Sequence, residues 1–428
     1  MTMNNKSICI VISAVLVMMG GSAYGQTYSL RQVLDSVKAN NPALQQFALQ
    51  TASSVALSDG ASAWMAPTAA IGVSEFPYGS LKDAGGSMMP RKMLTVRLQQ
   101  MFPNFGQQRK ESAYYRSFAA QDDDDRKTMQ NMLFARAKKA YFDAYIAERK
   151  LVLTEVQKKK LQLLLQTAET RLQYGKTGLA DVYKAQAKLS DLHSMSINLT
   201  SVIDQSAAAM NALMNRPVDA PLQVDTTADF ALQTGNILAI DSAYLMTHRS
   251  DIRRSSDELH TMKLKQQMTL EMGKPVFGIM WDNMRMPFTA SGNNTAMYMF
   301  SAMAMISVPI APWFSRGYKS GSRSLDFRMQ AVEKMQQGRL HQALGSIRED
   351  WLKFQSLKKE LQIFKTEVIP FYAKTYQASL DAFSENTGSI YETLTAWDDL
   401  TMKEMEYYDK LGDLLDIKVL LETETEHQ

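Results

Sequence analysis

The chain has 428 residues, of which 45% are hydrophobic and 21% charged, with a formal net charge of +3. That much apolar material can bury a large core, and the near balance of charge gives no excess that would suggest a nucleic-acid partner. The single cysteine, Cys9, leaves the rest of the chain without a disulfide, a cysteine–metal site or a cysteine nucleophile.

Residues 1–25 are predicted to be a secretory signal, with Lys6 in a short basic region, an apolar run from Ile8 to Met19 and Ala23-Tyr24-Gly25 as the cleavage site. The mature chain is expected to start at Gln26. Cys9 stands at the front of the apolar run rather than at its end, which argues against lipid attachment there. Beyond the signal no apolar run approaches the ~20 residues of a membrane-spanning helix, so a membrane location has to be reached through strands.

From here the chain reads as written twice. Pro42, Pro67, Pro103 and Asp181 recur as Asp251, Pro275, Pro309 and Glu392, at offsets of 209, 208, 206 and 211 residues. An internal repeat of this kind fixes architecture before any motif does. The first copy covers 26–217 and the second 237–428, with 218–236 as a linker. Each contains a pair of strands, predicted at about 67–78 and 91–102, then at 274–288 and 295–310. A helical hairpin follows each pair, at about 108–215 and 320–425.

The strand readings rest on a period of two. In 91–102 the residues Leu94, Val96, Leu98 and Phe102 alternate with Thr95, Arg97 and Gln99. In 274–288, Phe277, Ile279 and Trp281 oppose Met280, Asp282, Met284 and Met286. In 295–310, Tyr298, Phe300 and Ile306 oppose Met297, Met299, Ser301, Met303 and Met305. Strands with an apolar outer face, aromatic girdles and a mixed inner face are what a transmembrane barrel needs, the alternative being a soluble β-sandwich. Four strands per chain cannot close a barrel, and open edges in lipid leave backbone groups unsatisfied, so several chains have to close it together.

The helical readings rest on proline. None lies between Asn104 and Arg216, and only Pro370 lies beyond Pro312. Leu133, Ala137, Ala140, Ala144, Ala147 and Leu151 draw a narrow stripe suited to close packing of rods, and Trp351, Phe354, Leu357, Leu361, Phe364 and Val368 repeat it. The first rod is expected from about Asp122 to Tyr174, with the Asp122–Asp125 run either at its positive end or on a solvated turn. Gly175 and Gly178 then fold the chain back, and Glu385-Asn386-Thr387-Gly388-Ser389 does the same in the second copy. The fold class is an α+β membrane channel built from a duplicated strand pair and long helical hairpin.

Enzymatic chemistry finds no footing. His193, His248, His260, His341 and His427 are scattered without ligand spacing, and neither a phosphate loop nor a nucleophile elbow occurs. No cofactor is expected, and no firm metal site.

Several motifs together resemble the outer-membrane efflux family typified by TolC, over essentially the whole mature chain. They are Asn40-Asn41-Pro42-Ala43-Leu44, Phe102-Pro103-Asn104-Phe105-Gly106, Arg171-Leu172-Gln173-Tyr174-Gly175 with Leu179-Ala180-Asp181-Val182, Arg249-Ser250-Asp251-Ile252-Arg253, and Val308-Pro309-Ile310-Ala311-Pro312-Trp313. The resemblance implies a homotrimer whose four strands per chain form one 12-stranded barrel in outer-membrane lipid, continued by a periplasmic α-helical barrel. It implies docking of a periplasmic adaptor protein, belonging to an inner-membrane pump, at the hairpin tips. The tip residues are Gly175, Thr177, Gly178, Leu179 and Ala180 in the first copy, where the serine common at Ala180 is missing, and Thr387, Gly388, Ser389 and Ile390 in the second. Glu392 takes the place of an acid that narrows the tunnel; Thr395 stands where a second acid is usual, leaving Asp398 and Asp399 as the other inward candidates.

The chain has 29 methionines. If the aromatic strand faces touch lipid, Met93, Met101, Met280, Met284, Met286, Met297, Met299, Met303 and Met305 project into the lumen. Thioether sulfur is a soft ligand that suits Cu(I) without deprotonation, which suggests copper or silver export. Methionine as a flexible filler of apolar surface is the competing explanation. The stretches Trp281–Met286 and Met303–Met305 also look similar to heavy-metal members of the family. Drug or multidrug efflux and type I protein secretion remain alternative cargoes, and a soluble periplasmic coiled-coil scaffold remains an alternative class.

Overall fold

The computed structural model describes residues 26–74, 93–227, 230, 241–290 and 293–426. The expected signal at 1–25, the distal ends of the first two strand predictions (75–78 and 91–92) and part of the expected linker lie outside the described residues. The chain divides into two compact units, one of 1–45, 126–249 and 340–428 and the other of 46–125 and 250–339. Each unit draws on both sequence repeats.

In chain order the elements are β1 (Gln26–Tyr28), α1 (Leu30–Asn40), α2 (Pro42–Gly60), β2 (Thr68–Ser74), β3 (Met93–Met101), α3 (Phe105–Gln173) and α4 (Leu179–Leu213). They continue with β4 (Leu222–Val224), α5 (Ser242–His248), α6 (Ser250–Glu271), β5 (Val276–Ala290), β6 (Asn293–Ser307) and α7 (Pro312–Ile363). A π-helical turn (Phe364–Val368), α8 (Ile369–Ser384) and α9 (Ile390–Thr425) complete the chain.

Local chemistry sets the element ends. Ser29 and Gln32 form a capping box at the start of α1. Asn41 serves twice: its Oδ1 accepts from Ala43 N–H at 2.9 Å at the start of α2, and its Nδ2 donates to the Leu213 carbonyl at 2.8 Å at the end of α4. The Asn-Pro pair of the sequence motif is therefore a joint between two helix ends. At Pro370 the missing N–H interrupts the α-helical ladder, and Ile369 N–H instead reaches the Phe364 carbonyl five residues back, which produces the π turn.

The α3 helix corrects one expectation. It starts at Phe105, not near Asp122, because Asn104 caps it, accepting from Gln107 N–H at 3.1 Å. The acidic run is consequently neither a helix terminus nor a solvated turn. Asp122 accepts from Thr51 Oγ1 at 3.2 Å, Asp124 is fully buried 3.0 Å from Arg253, and Asp125 lies 2.8 Å from Arg254. Four consecutive acids point around the helix at ~100° intervals, so they face different neighbours rather than forming one patch.

In the first unit, β1 and β4 pair in parallel beside a core of Val33, Val37, Phe134, Ala137, Tyr141, Ala144, Met214 and Leu415. The small residues of the Ala stripe, Ala137, Ala140, Ala144 and Ala147, are buried. Tyr141 donates to the Tyr28 carbonyl (3.2 Å) or the Asp225 carbonyl (3.3 Å), and burial raises its hydroxyl to a pKa of about 12. Phe230 packs edge-on against Tyr141, Phe142 and Tyr145, with ring centroids 5.9, 5.0 and 5.2 Å away.

A second core nearer the hairpin turns joins Leu161, Leu164, Ala168, Val182, Ala185, Leu192, Phe383, Ile390, Leu394 and Trp397. It carries a buried polar chain. Trp397 Nε1 donates to Gln157 Oε1 at 3.0 Å, and Gln157 Nε2 donates to Glu404 Oε2 at 2.6 Å. Burial raises the Glu404 pKa, and the Gln157 hydrogen bond and Lys160 only partly counter it.

The second unit holds a four-stranded sheet in the order β2-β3-β5-β6, all neighbours antiparallel. Hydroxyl and amide contacts join its helices: Ser117 with Thr261 at 2.8 Å, Gln121 with Thr261 at 2.7 Å, and Gln266 with Asp326 at 2.7 Å.

The raised Glu404 pKa has a defined sign. The folded state holds the proton more tightly than the unfolded state, so stability is lost as pH rises from the ordinary carboxylate range through the raised value. Glu404→Gln is expected to raise Tm by a few degrees at neutral pH and to flatten its dependence on pH relative to the parent chain. A melting curve series over pH checks this, and an unchanged difference between parent and variant across that range refutes it.

Candidate functional site

The register of the sheet assembles the strand residues into two faces. Ile71 opposes Val96, Val73 opposes Leu94, Leu98 opposes Trp281, Asn283 opposes Phe300, and Phe277 opposes Ile306. Directly paired residues share a face, so these make one largely apolar surface across all four strands. It is open: Ile71 and Phe300 are each 74% exposed, and Leu94, Leu98, Phe277, Ile279 and Tyr298 are also exposed. Arg285 brings a cation to this face, and its guanidinium lies 6.0 Å from the Tyr298 ring centroid.

Aromatic residues flank the strands where they join the helices. Trp64 packs edge-on against Phe102 and Phe105 at 5.7 and 6.1 Å, while Trp313 and Phe314 are exposed just after β6. Amphipathic rings at the end of an apolar strand surface fit a membrane–water boundary.

The opposite face carries the methionines. Met284 pairs with Thr95 and Met299, Met280 with Gln99 and Met303, Met286 with Met297, and Gly278 with Met101 and Met305. Met93, paired with Ser74, has the same parity. All nine methionines expected to project together thus share one face. Gly278 has a steric reason: a Cβ there would run into Met101 Sδ and come within 3.3 Å of Met305 Cε. The absence of a side chain lets two thioethers from different strands converge over its backbone.

In the middle of this face lies an ion pair that the sequence alone does not reveal. Arg97 Nε donates to Asp282 Oδ1 at 2.7 Å and its second guanidinium nitrogen to Oδ2 at 3.2 Å, a bidentate fork. The Asp282 side chain is 3% exposed and that of Arg97 47%. Arg97 is the charged residue of β3 and Asp282 the acid of β5, and that is the available signal. Their pairing depends on a register between positions 185 residues apart.

The two hairpin turns are built alike. Gly175 adopts φ +66°, with Lys176 N–H donating to the Arg171 carbonyl and Gly175 N–H to the Leu172 carbonyl, both at 3.0 Å. Asn386 adopts φ +60°, with Thr387 N–H on the Ala382 carbonyl at 2.9 Å and Asn386 N–H on the Phe383 carbonyl at 3.1 Å. Both are Schellman caps with a left-handed residue just past the helix. Gly178 then precedes α4 without a side-chain cap, whereas Ser389 opens α9 with a capping box.

Among the expected tip residues Gly175, Gly178, Leu179, Ala180, Thr387 and Ser389 are exposed, Thr177 and Gly388 half-buried, and Ile390 buried in the second core. Arg171 joins the two tips: it donates to the Phe383 carbonyl at 2.6 Å and the Ser384 carbonyl at 3.1 Å, and lies 4.1 Å from the Phe383 ring. Its place in the first turn motif gives no hint of this role in the second turn. Lys184 sits 4.2 Å over the Tyr391 ring, and Lys188 pairs with Asp398 at 2.9 Å.

Glu392 is exposed, and its Oε2 accepts from Ser389 N–H at 3.2 Å as the acidic member of the capping box. Thr395 is exposed and bonds back to the Tyr391 carbonyl. Asp398 is held by Lys188, and Asp399 is half-buried. Among the described residues no cluster of three His, Cys, Asp or Glu side chains could hold a metal, and no helix is long and apolar enough to cross a membrane.

The Arg97–Asp282 pair supports a direct test. Arg97→Gln leaves the enclosed Asp282 carboxylate without its fork and is expected to lower the thermal stability of the sheet in detergent. Adding Asp282→Asn should restore most of the loss, because the stranded charge is then removed; an equal or larger loss in the double variant, measured by melting, contradicts this account.

Residues 33–216 match the family model described as outer membrane efflux protein. No curated protein sequence matches. Among solved structures, the outer-membrane channel OprN is similar with a TM-score of 0.73 at 16% identity, covering 93% of this chain and 90% of that one. CusC, described by its transmembrane channel formation, gives 0.75 at 16% identity, covering 92% and 91%. The outer membrane protein VceC of Vibrio cholerae gives 0.70 at 14% identity, covering 92% and 95%.

Proposed function

We propose that this chain, whose residues 33–216 match the outer membrane efflux protein model, is an outer-membrane channel rather than an enzyme and serves as the exit duct of a tripartite efflux pump. Three copies close a 12-stranded barrel, each giving the sheet β2-β3-β5-β6, and their hairpins extend into the periplasm as a helical tunnel. The observation that carries this reading is the open sheet with one largely apolar, exposed face. Lipid covers that face, and neighbouring copies supply partners for the outer edges of β2 and β6.

The cargo we assign is soft monovalent metal, Cu(I) or Ag(I). In a closed barrel with the apolar face outward, the nine methionines line the lumen, and weak thioether sites in series pass an ion along without holding it. The Arg97–Asp282 pair supports this, because it neutralises the carboxylate on that face and leaves sulfur as the distinctive ligand. A deletion strain is expected to become sensitive to silver and copper, with the parent gene restoring tolerance. Unchanged metal tolerance with lost drug or dye resistance would reverse the cargo, and a water-soluble, monodisperse mature chain would defeat the duct itself.

The hairpin turns are the surface we assign to the periplasmic adaptor, with Gly175, Thr177, Gly178, Leu179 and Ala180 on one and Thr387, Gly388, Ser389 and Ile390 on the other. Glu392 narrows the tunnel there: its capping bond engages Oε2, and the carboxylate still presents negative charge to a passing cation. In single-channel recordings, Glu392→Ala should reduce cation-over-anion selectivity severalfold. Selectivity identical to that of the parent channel rules the constriction out.

A further inference from the structure

Sulfur is not confined to the sheet. In the helical unit, α4 and α9 border a cavity of about 350 Å³ whose wall includes Met195 from α4 and Met402 and Met405 from α9. Met402 and Met405 are three residues apart and so share a helix face. Met195 lines the same cavity from the other helix, and its sulfur accepts from the hydroxyl of the fully buried Thr154 of α3 at 3.7 Å. Three methionines from two helices therefore line one space, Met402 and Met405 lying about 20–24 Å along α9 from its cap Ser389.

The oxygen ligands around this cavity are mostly engaged. Asp398 is bound by Lys188 at 2.9 Å, Glu406 by Lys403 at 2.8 Å, and Asp409 by Lys150. Asp191 is the lining carboxylate that forms no ion pair within the described residues. Because no three His, Cys, Asp or Glu side chains converge among those residues, a hard divalent cation finds no cage of oxygens here. The lining offers thioether sulfur and one negative charge, a donor set matched to a soft monovalent ion.

We infer that the groove between α4 and α9 is a binding site for Cu(I) or Ag(I), with Met195, Met402 and Met405 as ligands and Asp191 balancing the charge. The site belongs to the hairpin helices and uses none of the nine sheet methionines. Thioethers carry no proton to displace, so occupancy is insensitive to pH across the neutral range. Its place in transport rests on the soft-metal cargo proposed above, whereas binding itself is measurable without that reading.

The test is a titration of the purified full chain in detergent with Ag(I) in chloride-free buffer, followed by calorimetry and native mass spectrometry. The variants are Met402→Leu/Met405→Leu and, as a control, Met280→Leu/Met303→Leu, since leucine nearly conserves volume and preserves the fold. The α9 variant is expected to lose about one Ag(I) per chain, or to bind it about tenfold more weakly, while the sheet variant keeps that site. An α9 variant with the stoichiometry and affinity of the parent overturns the inference. If the α9 variant loses Ag(I) but gene deletion leaves metal tolerance unchanged, the site stands and the cargo reading falls. If deletion removes tolerance but the α9 substitutions do not alter binding, the site falls and the cargo reading stands.

Discussion

Backbone hydrogen bonding at the edges of one sheet constrains everything else in this chain. The strands β2 and β6 bound a four-stranded antiparallel ribbon whose largely apolar face is exposed in the single chain. In water such a face invites aggregation, and in lipid each unpaired edge group costs several kcal/mol. The proposed closure with other copies resolves both problems at once. It would also make the opposite face, with its methionines and the Arg97–Asp282 fork, enclose whatever passes.

The helical unit answers a different demand, holding long rods in register with little room between them. Alanines at 137, 140, 144 and 147 let neighbours approach closely, while specificity comes from buried polar links such as Trp397–Gln157–Glu404. Ion pairs between α3 and α9, Lys138 with Glu422 at 2.6 Å and Lys139 with Asp416 at 2.7 Å, set the axial position of one rod against the other. At the hairpin turns, Arg171 ties the last carbonyls of α8 to the end of α3, so the two turns of the chain are presented as one surface.

What can be read from the sequence is what depends on local chemistry. The methionine and aromatic strand faces follow from a period of two, and Gly175 and Asn386 mark turns because each tolerates a left-handed backbone. The start of α3 is misread because an acidic run looks like a helix terminus, whereas Asn104, well upstream of Asp122, does the capping. The partners of Asp122, Asp124 and Asp125 come from α2 and α6, and nothing in the run itself reveals them. The Arg97–Asp282 fork is hidden for the same reason, since it exists only once β3 and β5 are set in register. Arg171 acts across the two repeats, which a reading of either copy alone does not reach.

The π-helical turn at Phe364–Val368 gives the duplication a history. From Pro103 to Asp181 the first copy covers 78 residues, and from Pro309 to Glu392 the second covers 83. The second copy is thus five residues longer, and a helix can absorb one of them by widening a single turn, as the bond from Ile369 to Phe364 does. Past that turn every side chain of α8 is rotated by about 100° from where an uninterrupted helix would put it. The two hairpins of a protomer are thus sisters that differ in helical phase, and the proposed ring of three such chains has threefold rather than sixfold symmetry. Any partner that grips such a ring meets two kinds of seat in alternation.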